Sequence, residues 1–456
     1  MRKPLPVALT IAGSDSGGGA GIQADLKTFA VMGVHGTSAI TSITAQNTKE
    51  VRAIHDLPPE MVISQVEAIA DDLGVDAAKT GMLSNSEIIR AVAKVVDKYS
   101  FPLVVDPVMI AKSGAPLLRP EAMEALIKEV VPRATVITPN RFEAERLTGM
   151  KIDSLKAARE AARAIVEELG SSAALVKGGH LEGESSIDVL YFKGEYHEFR
   201  APRIYKKTDH GTGCAFSAAI AAGLAKGRGV AEAVSVAKEF ITMAIDYGLE
   251  MGGGHGPVNP VSWLEVPAER YRVLQEVEKG VEVLVGNARD VVGLIPEVST
   301  NIVMALPKLY AKTPLDVAGV PGRIGRFGER LVVPAKPEFG ASRHMARAVL
   351  AAMDIDPEVR AAVNIRYGKD VEEAVTRLGL MWSYYDRREE PEEVKRKEGA
   401  TMGWGIREAA KRVGRMPEVV YDYGEHGKEP ITKIFGKTAV EVAQKAVAIG
   451  REVRRR

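Results

Sequence analysis

The residues of this chain with the clearest chemical potential are those from His210 to Cys214. They read His-Gly-Thr-Gly-Cys, and an alanine-rich stretch over 215–224 follows at once. Two glycines and a small hydroxyl residue at the start of a helix let several backbone N–H groups converge on one anion without a Cβ in the way. The segment therefore predicts a loop that binds a phosphate-type group.

Cys214 is the only cysteine of the 456 residues, and it lies at the N-terminal end of this predicted helix. The helix dipole would favour the thiolate there and lower the pKa of the thiol. In the simpler alternative, a small and partly apolar residue merely begins a buried helix. The loop alone does not decide between these two interpretations.

The composition limits the classes of function. The chain is long enough for two or three domains, and 61 basic against 60 acidic residues leave a net charge of +1. We therefore expect small-molecule substrates and neither nucleic acid nor a membrane as partner. One cysteine excludes an intrachain disulfide framework and suits a reducing compartment. Without a signal-peptide core or a long apolar run, the sequence predicts a soluble cytoplasmic protein.

Short apolar strands alternate with helices through the first half of the chain. Strands are predicted over 7–12, 40–47, 77–82, 103–108, 135–140 and 173–179, with helices between them such as 22–32, 60–73 and 157–169. This alternation predicts an α/β domain with a mostly parallel sheet covered on both faces. Ligands of such sheets bind beyond the carboxyl ends of the strands.

Polar residues fall at that edge of the predicted sheet. Gln46, Asp106, Asn140 and Lys177 each lie at or just past the end of a predicted strand. Asp106 and Glu143 are suitable oxygen ligands for Mg²⁺, and Lys177 offers a positive charge to a phosphoryl group in transfer. Alternatively, Asp106 marks a turn before a proline, and Asn140 is a helix N-cap with Glu143 completing a capping box.

Seven sequence blocks together resemble a known family. They are AGSDSGGGAGIQADLKT at 12–28, AQN at 45–47, KTGML at 79–83, DPVM at 106–109, TPN at 138–140, KGGH at 177–180 and HGTGC at 210–214. In this order they resemble the hydroxymethylpyrimidine/phosphomethylpyrimidine kinases of thiamine biosynthesis, over roughly residues 5–260. The resemblance implies a ribokinase-like three-layer fold. It also implies two successive ATP-dependent phosphorylations of 4-amino-5-hydroxymethyl-2-methylpyrimidine, first to the monophosphate and then to the diphosphate.

The resemblance also assigns a pyrimidine site. It places the ring near Gly13, Asp25, Gln46 and Met82. An amide side chain suits the amidine edge of the ring because it both donates and accepts hydrogen bonds, and this role goes to Gln46. Met82 would form a soft apolar wall.

The same resemblance assigns the phosphate chemistry. Gly211, Thr212 and Gly213 would form the anion hole for the phosphoryl group in transfer. Cys214 would act as the base, where most ribokinase-fold kinases have an aspartate. Asp209 stands where we expect an Asn-like residue beside the nucleotide.

The expected cofactors are ATP and Mg²⁺. The predicted nucleotide-binding residues are Asn140, Lys177 and Asp209, and the predicted metal ligands are Asp106 and Glu143. Relatives with this fold are often dimers, so we also expect a homo-oligomer.

A proline-rich segment over 257–267 predicts a boundary between domains at 1–262 and 268–456. Strands are predicted beyond it at 281–285, 300–305, 330–333, 362–365, 380–385 and 417–422, with helices at 268–279, 343–353, 371–378, 402–413 and 438–451. This second unit is again α/β. The charged stretch at 387–398 is predicted to be an exposed loop or helix.

The chemistry of the second unit is concentrated in PGRIGR at 321–326 and GASRHMA at 340–346. Arginines beside glycines, and Ser-Arg-His at a helix start, suit a phosphate or diphosphate site, although solvated surface is the alternative. Together with Asn301, these segments resemble the thiamine-phosphate synthase domain of archaeal-type bifunctional proteins. The resemblance implies a three-layer α/β fold similar to class II aldolases. Its reaction joins the pyrimidine diphosphate to a thiazole phosphate and releases diphosphate.

A basic cluster that stabilises the leaving diphosphate is the physical requirement of that reaction. We predict Arg323 and His344 as the essential pair, and the further substrate-binding residues are Asn301, Arg326, Ser342 and Arg343. His344 would either give a proton to the diphosphate or hold it as a cation.

Two alternatives stay open at this point. In the first, the second unit is a non-catalytic sensor that binds thiamine phosphate. In the second, the kinase acts on another vitamin such as pyridoxal, against which Gln46, Met82 and the fused second domain argue.

Overall fold

The computed structural model describes residues 3–111, 113–179, 183–397, 399–425 and 427–455. The chain divides into two compact units, Met1–Leu264 and Glu265–Arg456. The division lies within the proline-rich segment over 257–267. His180, the last residue of the KGGH block, lies outside the described residues. No helix among the described residues is both long enough and apolar enough to cross a membrane.

The first unit is built on one nine-stranded sheet in the described residues. Its strands are β1 (Val7–Asp15), β2 (His35–Gln46), β3 (Val51–Asp56), β4 (Ala77–Thr80), β5 (Leu103–Val105), β6 (Val136–Ile137), β7 (Ala173–Val176), β8 (Ser185–Phe192) and β9 (Glu195–Pro202). Their order is β3-β2-β1-β4-β5-β6-β7-β8-β9. The six neighbouring strands β2, β1, β4, β5, β6 and β7 pair in parallel, and β3, β8 and β9 are antiparallel additions at the edges. The predicted mostly parallel sheet is confirmed, and the three edge strands were not predicted.

Helices cover both faces of this sheet. They are α1 (Gly21–Val31), α2 (Pro59–Asp72), α3 (Ser86–Tyr99), α4 (Met123–Ala125), α5 (Arg141–Thr148), α6 (Leu155–Glu167), α7 (Thr212–Ala225) and α8 (Val230–Asp246). Leu9 and Ile11 of β1 belong to the core with α2, α3 and α6, whereas the intervening Ala8 belongs to the core with α1, α7 and α8. Alternate residues of a strand point to opposite faces, so this division confirms the three-layer arrangement.

The second unit contains a seven-stranded sheet and a separate hairpin among the described residues. The strands are β10 (Ile302–Ala305), β11 (Val317–Gly319), β12 (Gly325–Phe327), β13 (Arg330–Val332), β14 (Glu338–Phe339), β15 (Ala361–Arg366), β16 (Trp382–Tyr385), β17 (Val419–Asp422) and β18 (Ile431–Gly436). The sheet order is β14-β11-β10-β15-β18-β17-β16, and β12 pairs with β13. Strands β16 and β17 run parallel, and the other neighbours in this sheet are antiparallel.

The helices of the second unit include one segment, 281–285, that the sequence predicts as a strand. They are α9 (Ser262–Gly286), α10 (Ala288–Val291), α11 (Arg343–Met353), α12 (Lys369–Arg377), α13 (Glu392–Lys395), α14 (Ala400–Val413) and α15 (Ala439–Arg454). The predicted strand at 281–285 is wrong because it forms the end of α9. Val277, Val281 and Leu284 are buried at spacings of four and three, which is a helical stripe, while Val285 is 43% exposed.

Candidate active sites

A cavity of about 820 Å³ lies in the first unit. Its wall contains every site residue predicted for this unit except Asp25: Gly13, Gln46, Met82, Asp106, Asn140, Glu143, Lys177, Asp209, Gly211, Thr212, Gly213 and Cys214. Residues at or near the carboxyl ends of six strands and at the start of α7 therefore meet in one place, as the convergence of parallel strands requires.

Two glycine loops are pressed together at this cavity. Gly211 has a φ of +79°, and a Cβ built there would lie 1.9 Å from the carbonyl oxygen of Gly19, so only glycine fits. The neighbouring His210 is 3.0 Å, from Nε2 to Oδ2, from Asp15, whose carboxylate also accepts from the N–H groups of Gly17, Gly19 and Ala20 in the other loop. Asp15 and His210 therefore hold the loops against each other, a role that sequence reasoning missed.

The start of α7 faces a buried ion pair. Lys177 Nζ lies 3.2 Å from Asp106 Oδ1, and the Asp106 side chain is 3% exposed. A Cβ on Gly213 would lie 3.3 Å from Asp106 Oδ2 and 3.5 Å from Lys177 Nζ. Burial lowers the pKa of Lys177, but the carboxylates of Asp106 and Glu143 outweigh this and raise it, so the side chain remains an ammonium.

Asn140 and Glu143 form the capping box that the simpler interpretation predicts. The Glu143 N–H donates to Asn140 Oδ1 at 3.0 Å, and the Asn140 N–H donates to Glu143 Oε2 at 2.8 Å. Burial, reinforced by the charge of Asp106, raises the pKa of Glu143 to about 7. The structural role of both residues is thus shown, and their contacts with nucleotide and metal stay predictions.

The same carboxylates fit a magnesium ion chemically. Asp106 and Glu143 are buried oxygen donors. Burial is the main cause of the raised pKa of Glu143, and the negative charge of Asp106, which a divalent cation would offset, adds to it. Among the described residues no group of three or more His, Cys, Asp or Glu side chains could hold a metal. Mg²⁺ commonly takes one or two carboxylates and completes its shell with water and substrate phosphates, so two donors are sufficient.

The prediction of a lowered pKa for Cys214 is wrong. Cys214 is the third residue of α7, but burial raises the pKa of its thiol to about 11, and the carboxylates of Asp25 and Asp106 add to this. Lys79 opposes the rise without cancelling it. Loss of hydration thus outweighs the helix dipole. The role of Cys214 as a base stays a prediction.

Asp25 reaches the cavity only through Lys79. Its side chain is fully buried and accepts from Lys79 Nζ at 2.8 Å and from Thr10 Oγ1 at 2.7 Å. The predicted direct contact between Asp25 and the pyrimidine is therefore replaced by a contact with Lys79, which does line the cavity. Sequence reasoning missed Lys79 because a lysine inside a buried strand carries no signal of its partner.

The other predicted pyrimidine residues, Gly13, Met82 and Gln46, all line the cavity, where Gly13 lies beside Met82 and Gln46 lies beside His210. A Cβ on Gly13 would lie 3.2 Å from Met82 Sδ, and Gln46 Nε2 is 3.4 Å from His210 Nε2. The side chain of Asp209 lies 2.9 Å, from Oδ1 to Nδ1, from His255. The backbone carbonyl of Asp209 accepts from Thr212 Oγ1 at 2.7 Å.

A buried charged cluster marks the second unit. Asp422, at the end of β17, accepts from Arg387 through Nε at 2.9 Å and Nη2 at 2.8 Å, from the hydroxyl of Tyr385 at 2.6 Å and from Lys433 Nζ at 3.1 Å. Burial alone would raise the pKa of Asp422, but Lys433 and Arg387 hold it well below its usual range. Arg387 is 8% exposed, so the prediction that it belongs to an exposed charged stretch is wrong, whereas Arg388 is exposed as predicted.

His344 lies beside this cluster, in the first turn of α11. His344 is exposed, yet partial loss of hydration, together with the cations of Lys433, Arg387 and Arg323, lowers the pKa of its imidazole to about 4. The imidazole is therefore neutral near pH 7, which disfavours the predicted role as a cation. Arg323 is exposed, has a φ of +65° and donates from Nη1 to the Val298 carbonyl at 2.6 Å.

The remaining predicted residues of this unit divide into structural and exposed positions. Asn301 is 2% exposed, and its side chain donates to the Val320 carbonyl at 2.8 Å and accepts from the Val320 N–H at 2.9 Å. Its predicted contact with substrate is thus replaced by a contact within the fold. Ser342 is the N-cap residue of α11, and Arg326 and Arg343 are exposed.

Comparisons with known proteins agree with both resemblances. Residues 15–259 match the family model described as phosphomethylpyrimidine kinase. A hydroxymethylpyrimidine/phosphomethylpyrimidine kinase from Rhizobium meliloti is 51% identical over 257 residues, which are 56% of this chain and 96% of that protein. The chain belongs to the phosphomethylpyrimidine kinase family.

The part of the chain beyond this kinase region has its own match. Residues 276–448 match the family model described as thiamine-phosphate synthase ThiN. A thiamine biosynthesis bifunctional protein, ThiED, from Geobacter sulfurreducens is 48% identical over 263 residues, which are 57% of this chain and 54% of that protein. This chain thus spans only about half the length of that relative. The prediction of a thiamine-biosynthesis protein with a kinase domain and a thiamine-phosphate synthase domain is confirmed.

The kinase fold is also shared with a solved structure. An ADP complex of Bacillus subtilis pyridoxal kinase matches with a TM-score of 0.53 and 41% identity, over 57% of this chain and 98% of that one. The predicted ribokinase-like fold is confirmed by this likeness.

Proposed function

We propose that the first unit transfers a phosphoryl group from ATP to the hydroxyl of 4-amino-5-hydroxymethyl-2-methylpyrimidine and a second one to the resulting monophosphate. We further propose that the second unit couples the diphosphate to thiazole phosphate. The observation that carries the kinase proposal is a single cavity wall that contains the predicted pyrimidine residues other than Asp25, the loop over 211–214 and the Lys177–Asp106 pair.

In the first transfer, the substrate hydroxyl oxygen forms a bond to the γ-phosphorus of ATP, and the bond from that phosphorus to the oxygen of ADP breaks. The backbone N–H groups of Gly211 and Gly213 donate to the oxygens of the moving group, and Lys177 balances the charge of these oxygens. The hydroxyl proton passes to the Cys214 thiolate. In the second transfer the nucleophile is an already ionised phosphate oxygen, so no base is needed.

Mg²⁺, when bound, would neutralise phosphate charge and align the groups, and Asp106 with Glu143 would hold it. Glu143 must give up any proton for this, because only its carboxylate binds a cation well.

In the second unit, the bond between the pyrimidine methylene carbon and the diphosphate oxygen breaks, and diphosphate leaves with the electron pair. The thiazole nitrogen then bonds to that carbon. Arg323 neutralises the charge of the leaving diphosphate, and the neutral imidazole of His344 forms a hydrogen bond to that diphosphate. The charge needed for diphosphate thus comes from arginine rather than from histidine.

One reaction mixture tests both units. The full chain is mixed with the pyrimidine alcohol, thiazole phosphate, ATP and Mg²⁺, and thiamine phosphate is measured. We expect Arg323→Ala and His344→Ala to lower its formation by about 10²-fold or more and to accumulate pyrimidine diphosphate, with the kinase rate unchanged. Arg330→Ala, on the exposed hairpin strand β13, is the matched control.

Three outcomes would contradict parts of this proposal. Pyrimidine diphosphate that accumulates without coupling in the parent protein would indicate a sensor of thiamine phosphate instead. Equal coupling by all variants would remove Arg323 and His344 from the site. A higher kcat/KM for pyridoxal than for the pyrimidine alcohol would assign the kinase to another vitamin.

A further inference from the structure

A second buried ion pair lines the kinase cavity and has no role so far. Lys238 of α8 lies 2.8 Å, from Nζ to Oδ2, from Asp188 of β8, and the two side chains are 9% and 4% exposed. Lys238 also donates to Ser186 Oγ at 3.2 Å. Burying two charges costs desolvation energy, and the attraction between them often does not recover all of it. A buried ion pair is therefore weak evidence for stability, which raises the question of another role.

The other oxygen of Asp188 binds the main chain beside Lys177. Asp188 Oδ1 accepts from the N–H of Gly178 at 2.9 Å in a buried position. A Cβ at Gly178 would lie 1.7 Å from the carbonyl oxygen of Ile187, so the chain after Lys177 is pressed against β8 and only glycine fits. Without the carboxylate, this buried N–H would lose its partner, which costs about 1–3 kcal/mol.

Lys177 is thus held from two sides. Its own N–H donates to the Pro139 carbonyl at 2.9 Å, in the segment between β6 and α5. The N–H of the following residue, Gly178, donates to Asp188, and the side chain of Lys177 extends to Asp106. The direction in which Lys177 leaves its strand therefore depends on a carboxylate that is itself oriented by Lys238.

We propose that Asp188 and Lys238 are positioning residues that fix Lys177 toward the phosphoryl group in transfer. This inference rests on the proposed kinase function and on the role of Lys177 within it. Misplacement of a reacting or charge-stabilising group by about 1 Å costs about 10²-fold in rate. Because the charge that Lys177 balances is largest on the phosphoryl group in transfer, the pair acts mainly on turnover through Lys177 and much less on the KM for ATP.

A direct contact between Lys238 and the nucleotide is the competing explanation, since both residues of the pair line the cavity. The two explanations predict different changes in the KM for ATP and in kcat. Loss of a ground-state contact raises the KM for ATP and leaves kcat unchanged, whereas loss of positioning lowers kcat.

A double-mutant cycle on the full chain separates these cases. We expect Asp188→Ala to lower kcat of pyrimidine phosphorylation by about 10- to 100-fold, with the KM for ATP within about twofold of the parent value. In a Lys177→Met background the same substitution should change kcat by less than about twofold, because the residue through which it acts is gone. Lys238→Met should give a smaller loss, because the acceptor for Gly178 remains, and Lys238→Arg should restore most of the rate.

Asp76 provides the matched control for folding effects. Its carboxylate also binds a backbone N–H, that of Val7 at 2.7 Å, and a lysine, Lys3 at 3.1 Å, but at the beginning of β1. Asp76→Ala should lower the melting temperature and leave kcat unchanged, and melting curves for every variant show whether the chain still folds.

If Asp188→Ala lowers kcat by the same factor in the Lys177→Met background as in the parent protein, the positioning role is wrong but the proposed kinase function stands. A raised KM for ATP with unchanged kcat in Asp188→Ala has the same meaning. A parent protein that phosphorylates no pyrimidine, or a Lys177→Met variant as active as the parent, would overturn the proposed function and the inference with it. These results are distinguishable because parent, single and double variants are assayed together.

Discussion

The candidate sites of the two units are built from different parts of the chain. The first unit uses main chain, in two glycine loops held together by Asp15 and His210 and one helix start at Thr212. The second unit uses side chains, with Asp422 binding Arg387 and Lys433 beside His344. Their sheets explain the contrast.

Strands β1, β4, β5, β6 and β7 run parallel, so their carboxyl ends meet at one edge and their loops converge there. In the second sheet most neighbours are antiparallel, so successive strand ends lie at opposite edges. A site in that sheet collects charged side chains instead, and buried charges require partners. Backbone sites should therefore be sensitive to added Cβ atoms, and side-chain sites to lost charge.

The largest effect should come from Asp422→Ala in the second unit. It leaves Arg387 and Lys433 buried without their carboxylate, so we expect unfolding of this unit to become about 3–5 kcal/mol more favourable. Glu392→Ala removes an exposed pair with Lys395 and should change the same free energy by about 0–1 kcal/mol. Denaturant unfolding followed by the fluorescence of Trp382 and Trp404 measures both, and similar losses for the two variants would contradict the contrast.

Next in size is Gly211→Ala in the first unit. Its Cβ would displace Gly19 and the anion hole, so we expect kinase activity to fall by about 10²–10³-fold. Gly227→Ala has the same φ of +79° but meets nothing within 4 Å, so it shares the backbone strain alone. Thiamine phosphate formation from supplied diphosphate should survive both changes. If both glycine variants lost the same kinase activity, strain rather than the loop would be responsible.

The smallest effect concerns Cys214 and pH. If the thiolate is the base and the thiol has a pKa of about 11, the reactive fraction rises about tenfold per pH unit below that value. Above about pH 8, where Glu143 with its pKa of about 7 is ionised, the first transfer should therefore accelerate with this slope, and the second transfer should not. Cys214→Ala should slow the first transfer at least about tenfold more than the second. Separate assays on the alcohol and on the monophosphate measure this, and equal losses or two flat profiles would exclude the base.

Much of the first site could be predicted because its signals are local in sequence. A polar residue directly after an apolar strand, such as Asp106 or Lys177, lies at the ligand edge wherever strands are parallel. The pairs Asp15–His210, Asp25–Lys79 and Asp188–Lys238 could not be predicted, because each joins residues far apart in the chain. For the same reason Arg387 was assigned to an exposed stretch, since its burial depends on Asp422 in another strand.

The sequence by itself determined the three layers of the kinase unit, the glycine loops and the family, because these depend on periodicity and on short motifs. Only the tertiary structure decided the protonation of Cys214 and His344, since burial and neighbouring charges outweigh local effects such as a helix dipole. It likewise decided that Asp25 is buried behind the wall of the kinase cavity, and that Asn301 of the second unit binds the main chain of Val320 instead of facing a site. Desolvation and pairing depend on distances in space, which no stretch of sequence contains.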